Sequence, residues 1–225
     1  KNFFIKKLME ISIKRCNKLI VNSNYSKKEI INLLNIDVQK VHVVHLGVSN
    51  DLKVRKVDLT HVLKFDYNSE YILSVISCVK YHNIINMLKG YKMFKSKYNS
   101  NIRYVIITQI LDKEYFKEIK NFIFNNFSDD EVKILINIDS ELLPKFYMNS
   151  KMYFFSSYSE VFGLTSLEAM CFGCKILVSN KSALPEINGS IANYFNPDDI
   201  QDICESIQNI LHTKNVKEWI QTLII

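Results

Sequence analysis

Two glutamates eight positions apart, Glu160 and Glu168, flank Gly163 in the stretch SSYSEVFGLTSLEAMCFGCKILVSNKSALPE, which runs from Ser156 to Glu186. An ionised carboxylate accepts hydrogen bonds from two neighbouring hydroxyls, and such charge-assisted bonds are stronger than neutral ones. After the glycine, LTSLEAM is a run of good helix formers, so the free amides of Leu164, Thr165 and Ser166 would open a helix and attract phosphate. The chemistry on offer is therefore the holding of a ligand that carries both hydroxyls and phosphate. A second reading stays open for one of the acids. Thr165-x-x-Glu168 also fits a helix capping box, in which the glutamate only satisfies backbone donors.

The elements around these residues must bring them together. Met152–Phe155 is short, apolar and aromatic-rich and is followed by a serine cluster, so it reads as a buried strand whose exit loop carries Glu160. Glu168 should lean back toward the start of its helix. In open parallel sheets ligands gather where strands end and helices begin, which would converge the loop acid, the glycine turn and the helix acid. Further strands are expected near Ile72 and over 102–108, 132–135 and 175–178, with helices starting near Ile84, Lys113, Ser140, Leu164 and Asp198. Strands buried on both faces and alternating with helices imply an α/β, Rossmann-like parallel sheet with helices on both faces. Residues 3–45 read as helix, strand, helix, strand, followed by an irregular link from about Gly47 to Ser69.

Composition excludes several classes. The chain has 225 residues, 48% of them hydrophobic, enough for a buried core. No apolar run reaches the roughly 18 residues needed to span a membrane, and the first residues lack the apolar stretch of a signal peptide, so a cytoplasmic protein is expected. Five cysteines without a staple-like pattern suit a reducing compartment, and Cys171-Phe-Gly-Cys174 lies at a helix end, where a thiolate is not favoured. The net charge of +6 is spread along the chain without a nucleic-acid motif, so no nucleic-acid partner is expected. His42 and His45 would point to opposite faces of a strand, and no D-x-D pair occurs, so no metal site is expected. The lack of G-x-G-x-x-G argues against a dinucleotide dehydrogenase. Near the start, Phe4, Ile5, Leu8 and Ile11 form an apolar stripe beside Lys6, Lys7, Lys14 and Arg15. Packing onto the sheet of its own domain is the expectation for that stripe, with peripheral contact to the inner face of a membrane as the alternative.

The acid, F-G-L, second acid, A-M and later glycine at Glu160, Phe162, Gly163, Leu164, Glu168, Ala169, Met170 and Gly173 resemble the signature of family 4 retaining glycosyltransferases, enzymes of the GT-B fold. SNKSALPE from Ser179 and NYFNPDDIQDICESI from Asn193 continue the resemblance downstream, and KLIVNSNYSKKEIINLL from Lys18 with KVHVVHLGVSN from Lys40 extend it upstream. The resemblance implies that residues 51–225 are a nucleotide-sugar-binding domain and that 1–50 are a remnant of the acceptor domain and linker. It implies that Glu160, at the catalytic position, lies by the donor sugar's hydroxyls and that Glu168 takes the ribose. Phe162, Gly163, Leu164 and Thr165 would complete the donor site, the amides of 163–165 holding the diphosphate. No cofactor is implied beyond the nucleotide diphosphate sugar itself, which is the donor substrate, and the acceptor would be a glycan or a lipid-linked glycan.

Four positions depart from the family pattern. Ile76 and Ser77 stand where relatives carry glycine and arginine, and His82 stands where they carry a lysine, so both cations that clamp the diphosphate are replaced. Lys80 and His82 are the candidates to substitute for them, although neither reproduces the forked geometry of arginine. Cys174, at a usual proline, should alter only a turn. The resemblance also implies that most of the first domain is missing and that the final helix is cut short after Trp219. Two functions follow: the donor-binding half of a hexosyltransferase, or a noncatalytic nucleotide-binding or assembly subunit whose partner supplies the first domain.

Overall fold

A computed structural model describes residues 2–48 and 70–213. The link expected over 47–69, the boundary near residue 50 and the segment around Trp219 lie wholly or largely outside the described residues. The chain begins with helix α1 (Asn2–Arg15), strand β1 (Leu19–Val21), helix α2 (Asn24–Leu34) and strand β2 (Val41–Val43), and β1 and β2 pair in parallel. The apolar stripe of α1 does not pack onto a sheet as expected. Phe4, Ile5, Leu8 and Ile11 are exposed, because this part of the described chain contains only the two short strands β1 and β2 to cover them.

A six-stranded parallel sheet follows, made of β3 (Tyr71–Val75), β4 (Arg103–Thr108), β5 (Val132–Ile136), β6 (Met152–Phe155), β7 (Ile176–Ser179) and β8 (Asn193–Phe195). Between them run α3 (Ile84–Tyr98), α4 (Lys113–Asn126), α5 (Leu143–Asn149), α6 (Leu164–Cys171) and α7 (Leu184–Asn188), and α8 (Ile200–His212) comes last. The helix expected from Ser140 opens as a single 3₁₀ turn over Ser140–Leu142 before α5 begins. The central strands are continuous apolar runs because helices cover both faces. β6 and β7 are buried at every position, and Tyr71, Ile72 and Leu73 of β3 are fully enclosed. The one polar residue within β3, Ser74, is satisfied by the Tyr104 hydroxyl of β4 at 2.8 Å and by the Phe154 carbonyl of β6, which ties the three middle strands together.

Strand order positions the site. The sheet reads β5-β4-β3-β6-β7-β8, so the chain builds outward from β3 to β5 and then returns to add β6 on the other side of β3. β3 pairs with β4 along its whole length but with β6 at Ile72–Met152 and Leu73–Tyr153, toward the amino ends. Beyond those pairs the backbones of β3 and β6 no longer form a ladder and are linked only through the side chains of Ser74 and Tyr153, and the crevice expected at such a reversal of strand order opens at their carboxyl ends.

Helix α8 shows how side-chain spacing sets the packing. Ile203, Cys204, Ile207 and Ile210 recur at helical period and are buried, and Asp199 caps the helix by accepting from the Gln201 and Asp202 amides. Its partner α3 approaches closely at Gly90, whose missing side chain leaves room for Ile203.

Candidate functional site

The crevice between β3 and β6 holds a cavity of about 340 Å³. Its walls come from both halves of the sheet: Ile76, Ser77 and His82 follow β3, and Glu160 and Gly163 follow β6. Asn22 and Leu46 close it from the amino-terminal segment.

Glu160 is held through its backbone. Its amide donates to the Ser182 hydroxyl at 2.9 Å, and its carbonyl accepts from the Ala183 amide at 3.1 Å, so the loop after β7 grips the loop after β6. The Glu160 carboxylate then lies 3.8 Å from Nε2 of His82. The other ring nitrogen, Nδ1, donates to the Ser77 carbonyl at 2.7 Å, and the ring is packed by Tyr81 and Phe155, so Nε2 is directed toward Glu160. When protonated, His82 brings one positive charge to the crevice. Lys80, the other sequence candidate for that charge, is exposed at the start of the same 3₁₀ turn and does not line the cavity.

Gly163 has φ +93°, a conformation that side chains rarely adopt, and this turn delivers the amino end of α6 to the crevice. The Ser166 hydroxyl and amide both bond back to the Gly163 carbonyl, at 2.7 and 3.1 Å. The Leu164 and Thr165 amides, ahead of the first helical bond, have no acceptor among the described residues, and both residues line the cavity. Phe162 is buried beneath the turn with its ring 6.1 Å from that of His45.

Thr165 lies inside α6 rather than at its cap, and its hydroxyl is 2.7 Å from that of Tyr153, which also reaches the Val75 carbonyl at 3.2 Å. The capping-box reading therefore fails, because Gly163 occupies the cap and Glu168 bonds elsewhere. Glu168 stands one turn beyond Leu164 on the same side of the helix and accepts a hydrogen bond from the Tyr147 hydroxyl at 3.0 Å. Burial pushes its carboxyl above the ordinary range, and the tyrosine bond opposes that rise without cancelling it. Glu168 is half-buried and lies beside the cavity rather than in its wall.

Sequence reasoning overlooked Tyr147 and Tyr153, and also the role of Glu186. Glu186 accepts from the Asn24 amide at 2.7 Å, the Asn24 side chain at 2.9 Å and the Tyr25 amide at 2.8 Å, and it pairs with His45 at 2.9 Å. It thereby serves as an acidic cap on α2, joining the amino-terminal segment to the six-stranded unit. Nearby, Ser23, the N-cap of α2, donates to the Val161 carbonyl at 2.8 Å. Only the acid placed next to a helix-start pattern could have hinted at this.

A larger cavity, about 910 Å³, lies at the opposite end of the sheet, where Glu70, Asn101, Lys151 and Lys175 precede their strands. It lacks any helix amino end directed into it from a strand's carboxyl end, and the smaller crevice is the better ligand site on that ground. Among the described residues no group of three or more His, Cys, Asp or Glu converges as a metal ion would require, and no helix is long and apolar enough to cross a membrane.

Comparison with known proteins agrees with the geometry. The model for glycosyl transferases group 1 matches residues 58–222. The O-antigen chain mannosyltransferase RfbU of Salmonella typhimurium is 24% identical over 203 residues, covering 90% of this chain and 53% of the relative. The serotype-specific mannosyltransferase WbdA of Escherichia coli is 27% identical over 226 residues, covering 94% and 26%. The chain thus spans about half the length of the first relative, and less of the second. Among solved structures, a glycosyltransferase from Rickettsia africae superposes with a TM-score of 0.80 at 18% identity, covering 95% of this chain and 60% of that one. Anabaena HepE in complex with UDP and glucose superposes at 0.77 with 16% identity, covering 92% and 57%.

Proposed function

Because the chain belongs to the group 1 glycosyl transferases, we propose that it is the donor-binding half of a retaining hexosyltransferase that uses a nucleoside diphosphate sugar and passes the hexose to a glycan or lipid-linked acceptor. The observation that carries this reading is the meeting of Glu160 and the open amino end of α6 in one crevice at the reversal of strand order, with Glu168 one helical turn beyond Leu164. In it, Glu160 holds hydroxyls of the sugar, the Leu164 and Thr165 amides receive the diphosphate, and Glu168 takes the ribose. The bond from the sugar's anomeric carbon to the diphosphate breaks, the oxygen of an acceptor hydroxyl takes its place, and that hydroxyl's proton leaves with the diphosphate. Amides directed at the departing diphosphate stabilise the charge that develops there. Mannose is the hexose favoured by the names of RfbU and WbdA, and retention follows from the family resemblance. No metal ion or other cofactor is assigned to the reaction, and the cytoplasmic face of a membrane is the proposed place of action.

A second reading is supported by one feature of the crevice. Among the described residues lining it there is no lysine or arginine, and Ile76, Ser77 and His82 occupy the positions of the diphosphate clamp. A noncatalytic nucleotide-binding subunit would tolerate that loss better than an enzyme, since cations on the leaving group are worth more in the transition state than in the ground state. Calorimetric titration of the chain with UDP and GDP, beside Glu168→Ala, tests the shared part of both readings. Saturable binding of one nucleotide that the variant loses supports a donor site, and binding of neither by the unaltered chain refutes it. Sugar transfer by the chain completed with a first domain then separates enzyme from binding subunit.

A further inference from the structure

We propose that Tyr147 is a positioning residue for the donor's ribose, its buried hydroxyl locking one oxygen of Glu168 so that the other is presented to the ribose diol. This rests on the donor-site reading above. The Tyr147 ring is fully buried on α5, stacked against Phe172 with centroids 5.9 Å apart and an interplanar angle of 7°, and tilted against Tyr153 at 5.9 Å. Its carbonyl is fixed as well, accepting from the Cys174 thiol at 3.0 Å. A buried ring packed against two other rings and fixed at its carbonyl holds its hydroxyl in place, and that hydroxyl donates to Oε2 of Glu168 at 3.0 Å.

A phenylalanine would fill this part of the core equally well, so packing alone does not require the oxygen. A buried hydroxyl must find a partner, and this one is spent on a half-buried carboxylate. That carboxylate is itself costly to the fold, since burial disfavours its charge. A tyrosine bond to one oxygen fixes the torsion of the carboxyl group and leaves Oε1 with its lone pairs for an incoming donor. Two adjacent ribose hydroxyls are the part of a nucleotide sugar whose recognition needs such a fixed acceptor. Pre-set geometry removes part of the ordering cost of binding.

The test uses the full chain, Tyr147→Phe and Glu168→Ala, and their combination, titrated with whichever of UDP and GDP binds and with its 2′,3′-dideoxy analogue. Tyr147→Phe is expected to weaken binding of the ribonucleotide by about 5- to 20-fold, a fraction of the roughly 10- to 150-fold that a hydrogen bond to a charged group is worth, because the bond acts only through Glu168. Binding of the dideoxy analogue should change by less than about twofold, because the lost order concerns only the diol. In the Glu168→Ala background, which leaves Tyr147 no carboxyl oxygen to hold, the tyrosine change should add little, as expected for two groups acting as one unit. The acid limb of ribonucleotide binding should also move to higher pH in Tyr147→Phe, since the carboxylate loses a bond that favours its charged form. Equal loss for both ligands would mean general disorder of the fold and would overturn the proposal, as would no loss for either. No binding by the unaltered chain would instead overturn the donor-site reading beneath it.

Discussion

Replacing Gly163 with alanine should cost the protein both stability and its ligand. At φ +93° a residue with a Cβ leaves the favourable left-handed well, a cost of about 1–2 kcal/mol. The added methyl would lie 2.9 Å from Cδ2 of Leu184 and 3.3 Å from the Ser166 hydroxyl oxygen. Leu184 is fully buried, so its methyl has no free space to enter, and overpacking of this kind costs about 1–3 kcal/mol. The two effects overlap, because a small rotation of the turn relieves both, and a net loss of about 3 kcal/mol is expected. At about 2–4 °C per kcal/mol for a domain of this size, the midpoint of thermal unfolding should fall by about 6–12 °C. Circular dichroism reads that midpoint. Calorimetry on the folded fraction at low temperature should show weaker nucleotide binding as well, since the turn aims the Leu164 and Thr165 amides. Leu184→Ala alone should destabilise through the cavity it opens, by about 2–5 kcal/mol, and in that background Gly163→Ala should cost only the backbone part. An unchanged or raised midpoint in Gly163→Ala would refute the reasoning, because it would mean that the turn is not left-handed in solution.

Three other outcomes follow from the same contacts. Gly90→Ala sets helix propensity, a gain of about 1 kcal/mol, against a methyl placed 2.1 Å from Cγ2 and 2.7 Å from Cβ of Ile203. A Cβ cannot swing aside, so overpacking should win and lower the unfolding midpoint, whereas a rise would show that α3 and α8 do not meet this closely. Glu186→Gln should destabilise the chain at neutral pH and matter less in acid. Burial alone would raise the Glu186 carboxyl, but the bonds from Asn24, His45 and Tyr25 outweigh it and hold the group below its ordinary 4.5. Its stabilisation is thus fully present above that pH and is lost as the pH falls below it, so the midpoints of parent and variant should converge there. Glu168→Gln should raise the midpoint at neutral pH while weakening nucleotide binding, because it removes a charge that burial disfavours and keeps an acceptor for Tyr147. A lowered midpoint would mean that the charge supports the fold.

The parts of the fold that could be read from sequence were those where burial leaves an unbroken apolar run. Residues 104–107 and Met152–Phe155 are such runs, buried throughout, and Tyr71–Val75 is interrupted only by Ser74. β8 escaped notice because it is a three-residue edge strand, with Asn193 exposed and Tyr194 half-buried, and α7 is too short to show a helical period. At the site, Glu160, Gly163 and the start of α6 were legible because an acid, a glycine and a run of helix formers follow one another locally. Tyr147 was not, since a tyrosine among apolar residues looks like core, and only its packing shows that the hydroxyl reaches Glu168. Glu186 contacts residues more than 160 positions away in the chain, a pairing that no local pattern announces. Lys80 and His82 looked alike as replacements for the diphosphate clamp, but the 3₁₀ turn carrying both directs His82 into the crevice and leaves Lys80 in solvent.

The central claim is that the crevice between β3 and β6 receives a nucleoside diphosphate at the amino end of α6. Its most direct test is the change in backbone amide resonances as UDP or GDP is added to the isotopically labelled chain. The largest shifts are expected at Leu164 and Thr165, with smaller ones at Ser77 and His82. Shifts concentrated at Lys151, Lys175 and His212, around the larger cavity at the other end of the sheet, would contradict it.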